Sequence, residues 1–436
     1  MLSIDFIREN TSLVKQSAQN KKRDPEIVDE LLRADDLRKQ LQTKHEGLRA
    51  KQNEASPKIA AAKGAERDAL LASMGLIKEE IKGLEQELEP VLLEWDRLIR
   101  SVANISAPEV PVGRDESENK VVHTWGTPRT FDFPVKDHVA IGKYLNIIDC
   151  EKSGEISGSR FYYLKGDAVL LQFAIINHVF ATLGNEKILS EIAQEKKLTI
   201  SPEPFTPMLP PVIMRREVMR KMDRLDPEEQ RYILPEDDQV FVGSAEHTMG
   251  PYHMDEVLEE AELPVRYIGY STAFRREAGT YGKDMSGILR VHQFDKLEME
   301  SFTTEENGAD EQKLIVGVQE YLVRSLNLPY RLVHVCTGDT GKANYNQFDI
   351  ETWIPSQQTY RETHTSDYMT DYQARRLKTF YKTKDGARKL VHMNDATAFA
   401  ISRILIAILE NYQNADGSVT IPEVLRPYMG GRDLLV

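Results

Sequence analysis

The polar residues with the clearest chemical pattern lie between positions 274 and 300. Residues 274–279 and 288–300 are strand-like runs on either side of the glycine-containing polar stretch 280–287, so together they predict a hairpin. By the period of two, one face of the second strand carries Arg290, His292, Phe294 and Glu298. A guanidinium suits phosphate or carboxylate, a ring suits a base, and a carboxylate suits an ammonium or hydroxyl. An ordinary solvated strand face is the competing interpretation.

A single arginine, Arg403, interrupts an otherwise apolar stretch that is predicted to form a helix over residues 398–409. Because the stretch is apolar nearly all round, we expect the helix to be buried. Arginine is almost never fully buried without a partner. The partner is either a protein carboxylate or the phosphates of a bound nucleotide, and the sequence leaves both open.

Sequence signatures of other chemistries are missing. Residues 336–342 read CTGDTGK, which lacks the spacing of a phosphate-binding loop, and no H-E-x-x-H or G-x-S-x-G motif occurs. The two cysteines, Cys150 and Cys336, stand far apart and predict neither a disulfide framework nor a zinc site.

Two long helices are predicted before residue 103. Apolar side chains between residues 70 and 102 recur at alternating spacings of four and three, the seam of a coiled coil, and a seven-residue repeat runs from Ala34 to Ala55. A polar turn near Gly64 makes the pair an antiparallel hairpin, an arm on the order of 50 Å long. We expect Pro57 and Pro90 each to kink or locally unwind its helix.

Charge is divided unequally between these helices. Residues 33–63 hold eight Lys and Arg against four Asp and Glu, whereas residues 66–96 hold three against nine. The charges either pair across the hairpin or let the basic helix contact nucleic-acid phosphates. For the second interpretation the candidate contacts are Arg38, Lys39, Lys44, Arg49 and Lys51.

The helical pattern ends after Val102, and a Pro- and Gly-containing linker over residues 107–120 separates a helical arm, residues 1–106, from a domain over residues 121–436. That domain alternates strand-like runs with helices but lacks a dinucleotide-binding motif. We therefore predict an α+β fold with a central antiparallel sheet flanked by helices. The net charge of −13 argues against a surface that coats nucleic acid generally.

No secretion signal or membrane span is predicted. The N-terminus lacks a basic segment followed by an apolar one, and the most apolar long stretch, residues 168–183, is interrupted by Gln172, Asn177 and His178. We expect a cytoplasmic protein without a membrane partner.

Several runs resemble class II aminoacyl-tRNA synthetases, in particular the bacterial seryl-tRNA synthetases. The 274–277 hairpin is similar to their motif 2 and the Arg403 helix to their motif 3, while residues 290–294, 373–376, 421–431 and 125–129 resemble the seryl type. The resemblance covers essentially the whole chain. It implies an ATP-dependent ligase that forms seryl-adenylate and transfers serine to the 3′ end of tRNA(Ser) and of tRNA(Sec), with the arm binding tRNA. Residues 205–211 resemble motif 1, which implies a homodimer.

The resemblance also implies roles for individual residues. Arg275 and Arg403 would be the catalytic clamps on the ATP phosphates, and Arg275 would also hold the serine carboxylate. The implied ATP-binding set is Arg275, Arg276, Glu277, Val291, Phe294, Glu362, Thr363, His364, Thr365 and Arg403. The implied serine-binding set is Ser244, Ala245, Glu246, Arg275, Glu298 and Thr397. Glu362 and Thr365 would help to ligate Mg²⁺, a hard cation that prefers oxygen.

Three runs depart from the family pattern. Ser244-Ala245-Glu246 replaces Thr-Ala-Glu, residues 362–365 read Glu-Thr-His-Thr for Glu-Ile-Ser-Ser, and Asp395-Ala396-Thr397 replaces Asn-Gly-Ser. Asp395 puts a carboxylate in place of an amide, so it either meets a cation or weakens ATP binding. Two other functions stay open: an amino acid ligase acting on a carrier, and a catalytically silent RNA-binding paralogue.

Overall fold

The computed structural model describes residues 1–278 and 287–436, which divide into two units, Met1–Ile105 and Ser106–Val436. The α-helices of the described residues are α1 Ile4–Glu9, α2 Thr11–Asn20, α3 Glu26–Ala61, α4 Ala65–Ser101, α5 His138–Tyr144, α6 Cys150–Ser157, α7 Asp167–Leu183, α8 Glu186–Glu195, α9 Arg216–Lys221, α10 Glu246–Met249, α11 Gly308–Ser325, α12 Tyr372–Leu377 and α13 Ile401–Asn411.

The strands of the described residues are β1 Lys120–Trp125, β2 Ile148–Asp149, β3 Tyr163–Leu164, β4 Thr206–Met208, β5 Ile213–Arg215, β6 Ile233–Leu234, β7 Gln239–Phe241, β8 Val257–Glu259, β9 Val265–Phe274, β10 Gln293–Thr303, β11 Tyr330–His334, β12 Asn346–Ile354, β13 Thr359–Thr370, β14 Phe380–Lys382, β15 Arg388–Leu390, β16 His392–Ala400, β17 Val419–Thr420 and β18 Leu434–Leu435.

The first unit is a helical hairpin, as its apolar repeat predicts. Along the α4 seam, Met74, Ile81 and Leu98 are buried between α3 and α4. Near the base, α1 and α2 pack on the hairpin through a small apolar cluster that includes Ile7 and Leu31. Both long helices continue through Pro57 and Pro90, so neither proline unwinds its helix locally.

An eight-stranded sheet organises the second unit, in the order β1-β11-β12-β13-β16-β10-β9-β4. Neighbouring strands are antiparallel except β4, which lies at the edge and runs parallel to β9. The sheet confirms the predicted antiparallel architecture. Helices α7, α11 and α13 contribute apolar side chains to the main core beside it.

Two predicted element boundaries are wrong. The second hairpin strand begins at Gln293 rather than at residue 288, so Arg290 and His292 precede it and the period of two does not place them on its face. The predicted hairpin loop, residues 280–287, lies outside the described residues except for Gly287.

The motif-3 helix α13 begins at Ile401, three residues later than predicted. Phe399 and Ala400 instead end β16, where they pair with Leu297 and Lys296 of β10. The ladder hydrogen bonds of the sheet thus outweigh the apolar, helix-like pattern of this stretch.

No single helix among the described residues is long and apolar enough to cross a membrane. Helices α7 and α8 pass that test of length and composition only as a pair bent by 73°. The apolar side of α7, including Leu171, Ile175 and Val179, is buried in the core of the second unit.

Candidate active site

A cleft of about 150 Å³ opens where β10, β13, β16 and the start of α13 meet the segment just before β10. Three antiparallel neighbours, β13, β16 and β10, form its floor, and α13 closes one side. The predicted site residues that line it are Arg275, Glu277, Val291, Phe294, Glu362, Thr363, Thr365, Thr397 and Arg403. Residues as far as 128 positions apart in the sequence, Arg275 and Arg403, therefore meet in one space.

Arg275 follows the last residue of β9 and enters the cleft from the hairpin side. Its Nε donates to the backbone carbonyl of Gly243 at 3.0 Å, and its guanidinium carbon lies 5.3 Å from the centroid of the Phe294 ring. These contacts fix the side chain at its base and along one face, and they leave its Nη atoms for an anion. The Phe294 ring lines the same cleft, as a stacking surface for a base must.

Arg403 lines the same cleft from the first turn of α13. Its Nη1 donates to the backbone carbonyl of Glu362 at 2.7 Å and to the Glu362 carboxylate at 3.0 Å. The helix is buried as predicted, and the Arg403 side chain keeps 31% of its surface exposed. Both partners considered from the sequence are compatible with this position, because a carboxylate holds Arg403 while the side chain still faces the cleft.

Glu362 and Thr365 lie on β13 and both line the cleft. Desolvation opposes ionisation of Glu362, but Arg403, Lys296 and Arg275 outweigh it and lower the pKa of this carboxyl. Asp349 stands opposite Thr365 on β12, where burial and the charge of Glu362 raise its pKa to about 8.

This donor set fits Mg²⁺ chemically, because a carboxylate and a hydroxyl are hard oxygen ligands. The described residues contain no cluster of three or more His, Cys, Asp or Glu side chains arranged to hold a metal ion. A cation held by Glu362 and Thr365 therefore needs further oxygens from phosphate and water.

Beneath the cleft lies a polar group centred on Glu298. Its Oε1 accepts hydrogen bonds from the Ser244 hydroxyl at 3.0 Å and from the Thr397 hydroxyl at 3.1 Å. Glu298 faces Thr397 because a bulge between Leu297 and Glu298 shifts the register of β10 against β16. The structure thus brings together three residues of the implied serine set, from β10, β16 and the segment before α10.

Glu246 opens α10 beside this group and is buried, with 8% of its surface exposed. Burial alone would raise its pKa, but His247, Lys296 and Arg224 together lower it, so the group is ionised. Its Oε2 makes no hydrogen bond within the described residues. An ionised, unpartnered carboxylate oxygen at this depth suits a ligand ammonium.

Asp395 meets a cation, which is the first of the two outcomes considered for this departure from the family pattern. Its Oδ2 accepts from Arg224 Nη2 at 2.8 Å, and Arg224 also lies 3.9 Å from Asp367. The three side chains are nearly buried, with Arg224 19% exposed, and burial raises the pKa of Asp395 and of Asp367. Asp395, Glu246 and Asp367 raise the pKa of Arg224 against the effect of its burial.

Two residues of the implied ATP set lie outside the cleft as the described residues define it. Arg276 is exposed, and its guanidinium carbon lies 5.9 Å from the Tyr232 ring centroid. His364 is fully buried against Phe399, and burial lowers its pKa to about 3, so it is a neutral packing residue here. Its neighbours Thr363 and Thr365 on β13 both line the cleft, although Thr363 is also buried.

The predicted phosphate contacts of the first unit divide into two groups. Arg38 and Lys39 bond to the buried Asp35 of their own helix, and Arg49 pairs across the hairpin with Glu85 at 2.9 Å. Lys44 and Lys51 are exposed and form no ion pair within the described residues. Pairing across the hairpin therefore holds for Arg49, while phosphate contact by Lys44 and Lys51 stays a prediction.

Three residues around the site were not predicted from the sequence: Lys296, Arg224 and Asp349. Lys296 stands between Phe294 and Glu298 at the same period of two, so the strand pattern contained a signal for it. Arg224 and Asp349 have no local sequence pattern that marks them as site residues. Their partners in the site come from distant parts of the chain, which the sheet and the loop before β6 bring together.

Together the mainly antiparallel sheet and the arginine-lined cleft define a class II aminoacyl-tRNA synthetase. The family profile described as tRNA synthetase class II core domain (G, H, P, S and T) matches residues 234–412, and that of the seryl-tRNA synthetase N-terminal domain matches residues 1–106. Serine–tRNA ligase of Corynebacterium glutamicum is 38% identical over 436 residues, covering 100% of this chain and 98% of the relative. The Dictyoglomus turgidum enzyme of the same name is 37% identical over 434 residues, covering 99% and 98%.

Solved structures agree. Seryl-tRNA synthetase from Pyrococcus horikoshii, complexed with ATP, superposes with a TM-score of 0.88 at 34% identity, covering 100% of this chain and 99% of that one. Cytoplasmic serine–tRNA ligase from Naegleria fowleri, in complex with AMP, superposes with a TM-score of 0.83 at 29% identity, covering 100% and 98%. This chain belongs to the seryl-tRNA synthetase family, whose members are ATP-dependent ligases.

Proposed function

We propose that this chain activates L-serine with ATP and transfers the seryl group to the 3′ end of tRNA(Ser) in the cytoplasm. The observation that carries the proposal is the meeting of Arg275, from the hairpin, and Arg403, from α13, in one cleft. That cleft also holds a stacking ring, Phe294, and lies over the polar group around Glu298.

In the first step a serine carboxylate oxygen attacks the α-phosphorus of ATP and diphosphate leaves, which gives seryl-adenylate. Negative charge builds up on the phosphate oxygens as the new bond forms. Arg275 and Arg403 both line the cleft and would neutralise that charge, while Phe294 would hold the base. This is electrostatic and positional catalysis, which needs no acid or base from the protein.

Glu277 and Val291 line the adenine side of this proposed arrangement, and Thr363 adds a hydroxyl to its wall. Glu277 is itself held by an ion pair with Arg290. In the family pattern Arg276 and His364 also belong to the ATP set. Arg276 is exposed and would contact ATP by moving away from the Tyr232 ring. His364 is buried and would contribute to ATP binding by packing beneath β13.

When bound, Mg²⁺ would neutralise phosphate charge beside Glu362 and Thr365. The lowered pKa of Glu362 keeps its carboxylate ionised for that task. Thr365 is held near Gln347, whose Nε2 donates to its hydroxyl at 3.3 Å, so one hydroxyl lone pair remains for a cation.

Serine would lie with its carboxylate toward Arg275, its ammonium toward Ser244, Ala245 and Glu246, and its hydroxyl toward Glu298 and Thr397. The unpartnered Glu246 oxygen supports the ammonium position. The hydroxyl group of the substrate would complete a set of buried polar groups that alanine would leave unpaired, and such sites reject the smaller analogue strongly.

The second step places the 3′-hydroxyl of the tRNA on the seryl carbonyl and releases AMP. The first unit would hold the tRNA through its phosphates, with Lys44 and Lys51 as the uncommitted cations and Arg38, Lys39 and Arg49 in supporting pairs. Recognition by shape would extend to tRNA(Sec). Motif 1 begins at the buried Phe205 and contains edge strand β4, which supports a homodimer built on this edge.

One experiment tests the proposal and its two alternatives. ATP–pyrophosphate exchange is measured with a panel of amino acids, followed by charging of purified tRNA. The proposal predicts exchange with serine above all others and charging of tRNA(Ser). Exchange without any tRNA charging would favour a ligase acting on a carrier, whereas no exchange with any amino acid would favour a silent RNA-binding paralogue.

A further inference from the structure

Lys296 occupies the floor of the cleft, between the stacking ring and the proposed serine pocket. Its Nζ donates to the Ser244 hydroxyl at 3.1 Å and forms a close ion pair with the Glu298 carboxylate. The Lys296 side chain is 9% exposed and that of Glu298 is 2% exposed. A cation this deep, in contact with two proposed substrate ligands, has a function in the choice of substrate.

The contacts of Glu298 show how Lys296 changes the charge of the proposed serine pocket. Three donors, from Lys296, Ser244 and Thr397, converge on the Glu298 Oε1 atom. Its negative charge is therefore matched by one positive charge before any substrate arrives. Glu246, in contrast, has no Lys or Arg ion pair within the described residues and keeps an unpartnered oxygen.

We propose that Lys296 is a specificity-determining residue: by neutralising Glu298 it makes that carboxylate accept a neutral hydroxyl, and it excludes amino acids with an ammonium group on the β-carbon. The inference rests on the proposed function of the cleft. The excluded chemistry is that of L-2,3-diaminopropionate, which differs from serine only by an ammonium in place of the hydroxyl.

Shape alone does not separate these two amino acids, because a hydroxyl and an ammonium have nearly the same size. Charge separates them. A buried carboxylate without a partner attracts a cation strongly, since leaving either charge unpaired is costly. With Lys296 present, a β-ammonium would instead lie on the order of 4 Å from another ammonium, where like charges repel.

The acid-base behaviour of Glu298 agrees with this geometry. Burial raises its pKa to about 7, although Lys296 opposes the rise. Without Lys296 the pKa of Glu298 would rise further, so serine would meet a protonated carboxyl at neutral pH. A substrate with a second ammonium would supply the missing charge itself.

The other charged groups around Lys296 do not replace it. Glu246 and Glu362 are acidic, and the guanidinium of Arg275 bonds to the Gly243 carbonyl and packs on Phe294. Among the charged side chains that contact Glu298 in the described residues, Lys296 is the cation.

The test compares Lys296→Met with Lys296→Arg in pyrophosphate exchange, with serine and with L-2,3-diaminopropionate as substrates. The assay runs at about pH 7.5, above the pKa of about 7 of Glu298, where the probe keeps its β-ammonium because its α-ammonium is the first to lose a proton. The ratio of kcat/KM for diaminopropionate to that for serine should rise about tenfold or more in Lys296→Met and stay within about twofold of wild type in Lys296→Arg. Lys313→Met removes an exposed lysine paired with Asp310 and should leave the ratio unchanged.

An unchanged ratio in a folded Lys296→Met protein would overturn the inference. If that variant does not fold, Lys296→Gln provides a second test, because it removes the charge and keeps a polar side chain of similar reach. The ratio for Lys296→Gln should rise in the same way, and an unchanged ratio would overturn the inference. Wild-type protein that does not activate serine at all would instead refute the proposed function.

Discussion

Arg403 on α13 and Glu362 on β13 are joined twice, through the carbonyl and through the carboxylate of the glutamate, at 2.7 and 3.0 Å. The pair links the helix to the strand that carries Thr365, and it holds the guanidinium at the edge of the cleft. The carboxylate that keeps Arg403 in place without ATP is thus the one proposed to ligate Mg²⁺ when ATP is bound. Binding of Mg²⁺ to the Glu362 carboxylate would free a hydrogen-bond donor of the Arg403 guanidinium for an ATP phosphate.

Arg403→Ala should lower serine-dependent pyrophosphate exchange by about two to three orders of magnitude, because it removes a preorganised positive charge from the phosphates. Arg403→Lys should recover only part of the loss, since an ammonium lacks the planar fork. Arg324→Ala is the control, because Arg324 pairs with Glu195 on the helical side of the sheet. Exchange by Arg403→Ala equal to that of the control would remove Arg403 from the mechanism.

Asp395→Asn restores the amide of the family pattern but should destabilise this chain. The substitution removes the carboxylate that accepts from Arg224 at 2.8 Å, and within the described residues the remaining acidic partner of the ion pair is Asp367 at 3.9 Å. We expect a loss on the order of 3 kcal/mol in the free energy of unfolding, measured by urea titration. Arg224→Met should cost more, because it leaves Asp395 and Asp367 without their shared cation; the reverse order would contradict this view of the pair.

Reversing the charge of Lys44 and Lys51 together, each to Glu, should raise the KM for tRNA(Ser) at least about tenfold and reduce its dependence on salt. Serine-dependent exchange without tRNA should not change. The matched control reverses Lys78 and Lys82, two exposed lysines on the acidic helix α4. A similar rise in the KM for tRNA in both double variants would show a general charge effect instead of a binding surface.

Asp35 should make the first unit sensitive to acid. Its burial raises the pKa, but hydrogen bonds from Arg8, Arg38 and Lys39 outweigh this and bring the pKa to about 2. Because the folded pKa lies below the usual value of about 3.9, the stabilisation is present above pH 4 and is lost as the pH falls toward 2. Asp35→Asn should cost about 1–2 kcal/mol at neutral pH, and the difference from wild type should shrink between about pH 4 and pH 2. A difference that stays constant over that range would show that the charge of Asp35 is not responsible.

The elements with strong periodicity were predictable from the sequence. The alternating apolar spacing gave both long helices to within a few residues, because the seam between α3 and α4 is repeated over many turns. The start of α13 was not predictable from its apolar pattern, since Phe399 and Ala400 belong to a ladder formed with residues about a hundred positions away.

In the candidate site, too, some residues were predictable from the sequence and others were not. A shared role in ligand binding was predictable for Arg275, Phe294 and Glu298, because these residues lie close together in the sequence and on one hairpin. The role of Asp395 was not, because its partner Arg224 lies 171 residues earlier, in a region without a motif. Pairings of that kind depend on the three-dimensional arrangement of the sheet and the loops above it.

The account depends most on the convergence of Arg275 and Arg403 on one triphosphate. Equilibrium binding of ATP with Mg²⁺ to the wild type, Arg275→Ala, Arg403→Ala and the double variant tests this directly. The account predicts that each single substitution raises the Kd for ATP at least about tenfold and that the two effects are coupled, so that they do not simply add. An unchanged Kd in either single variant would contradict it.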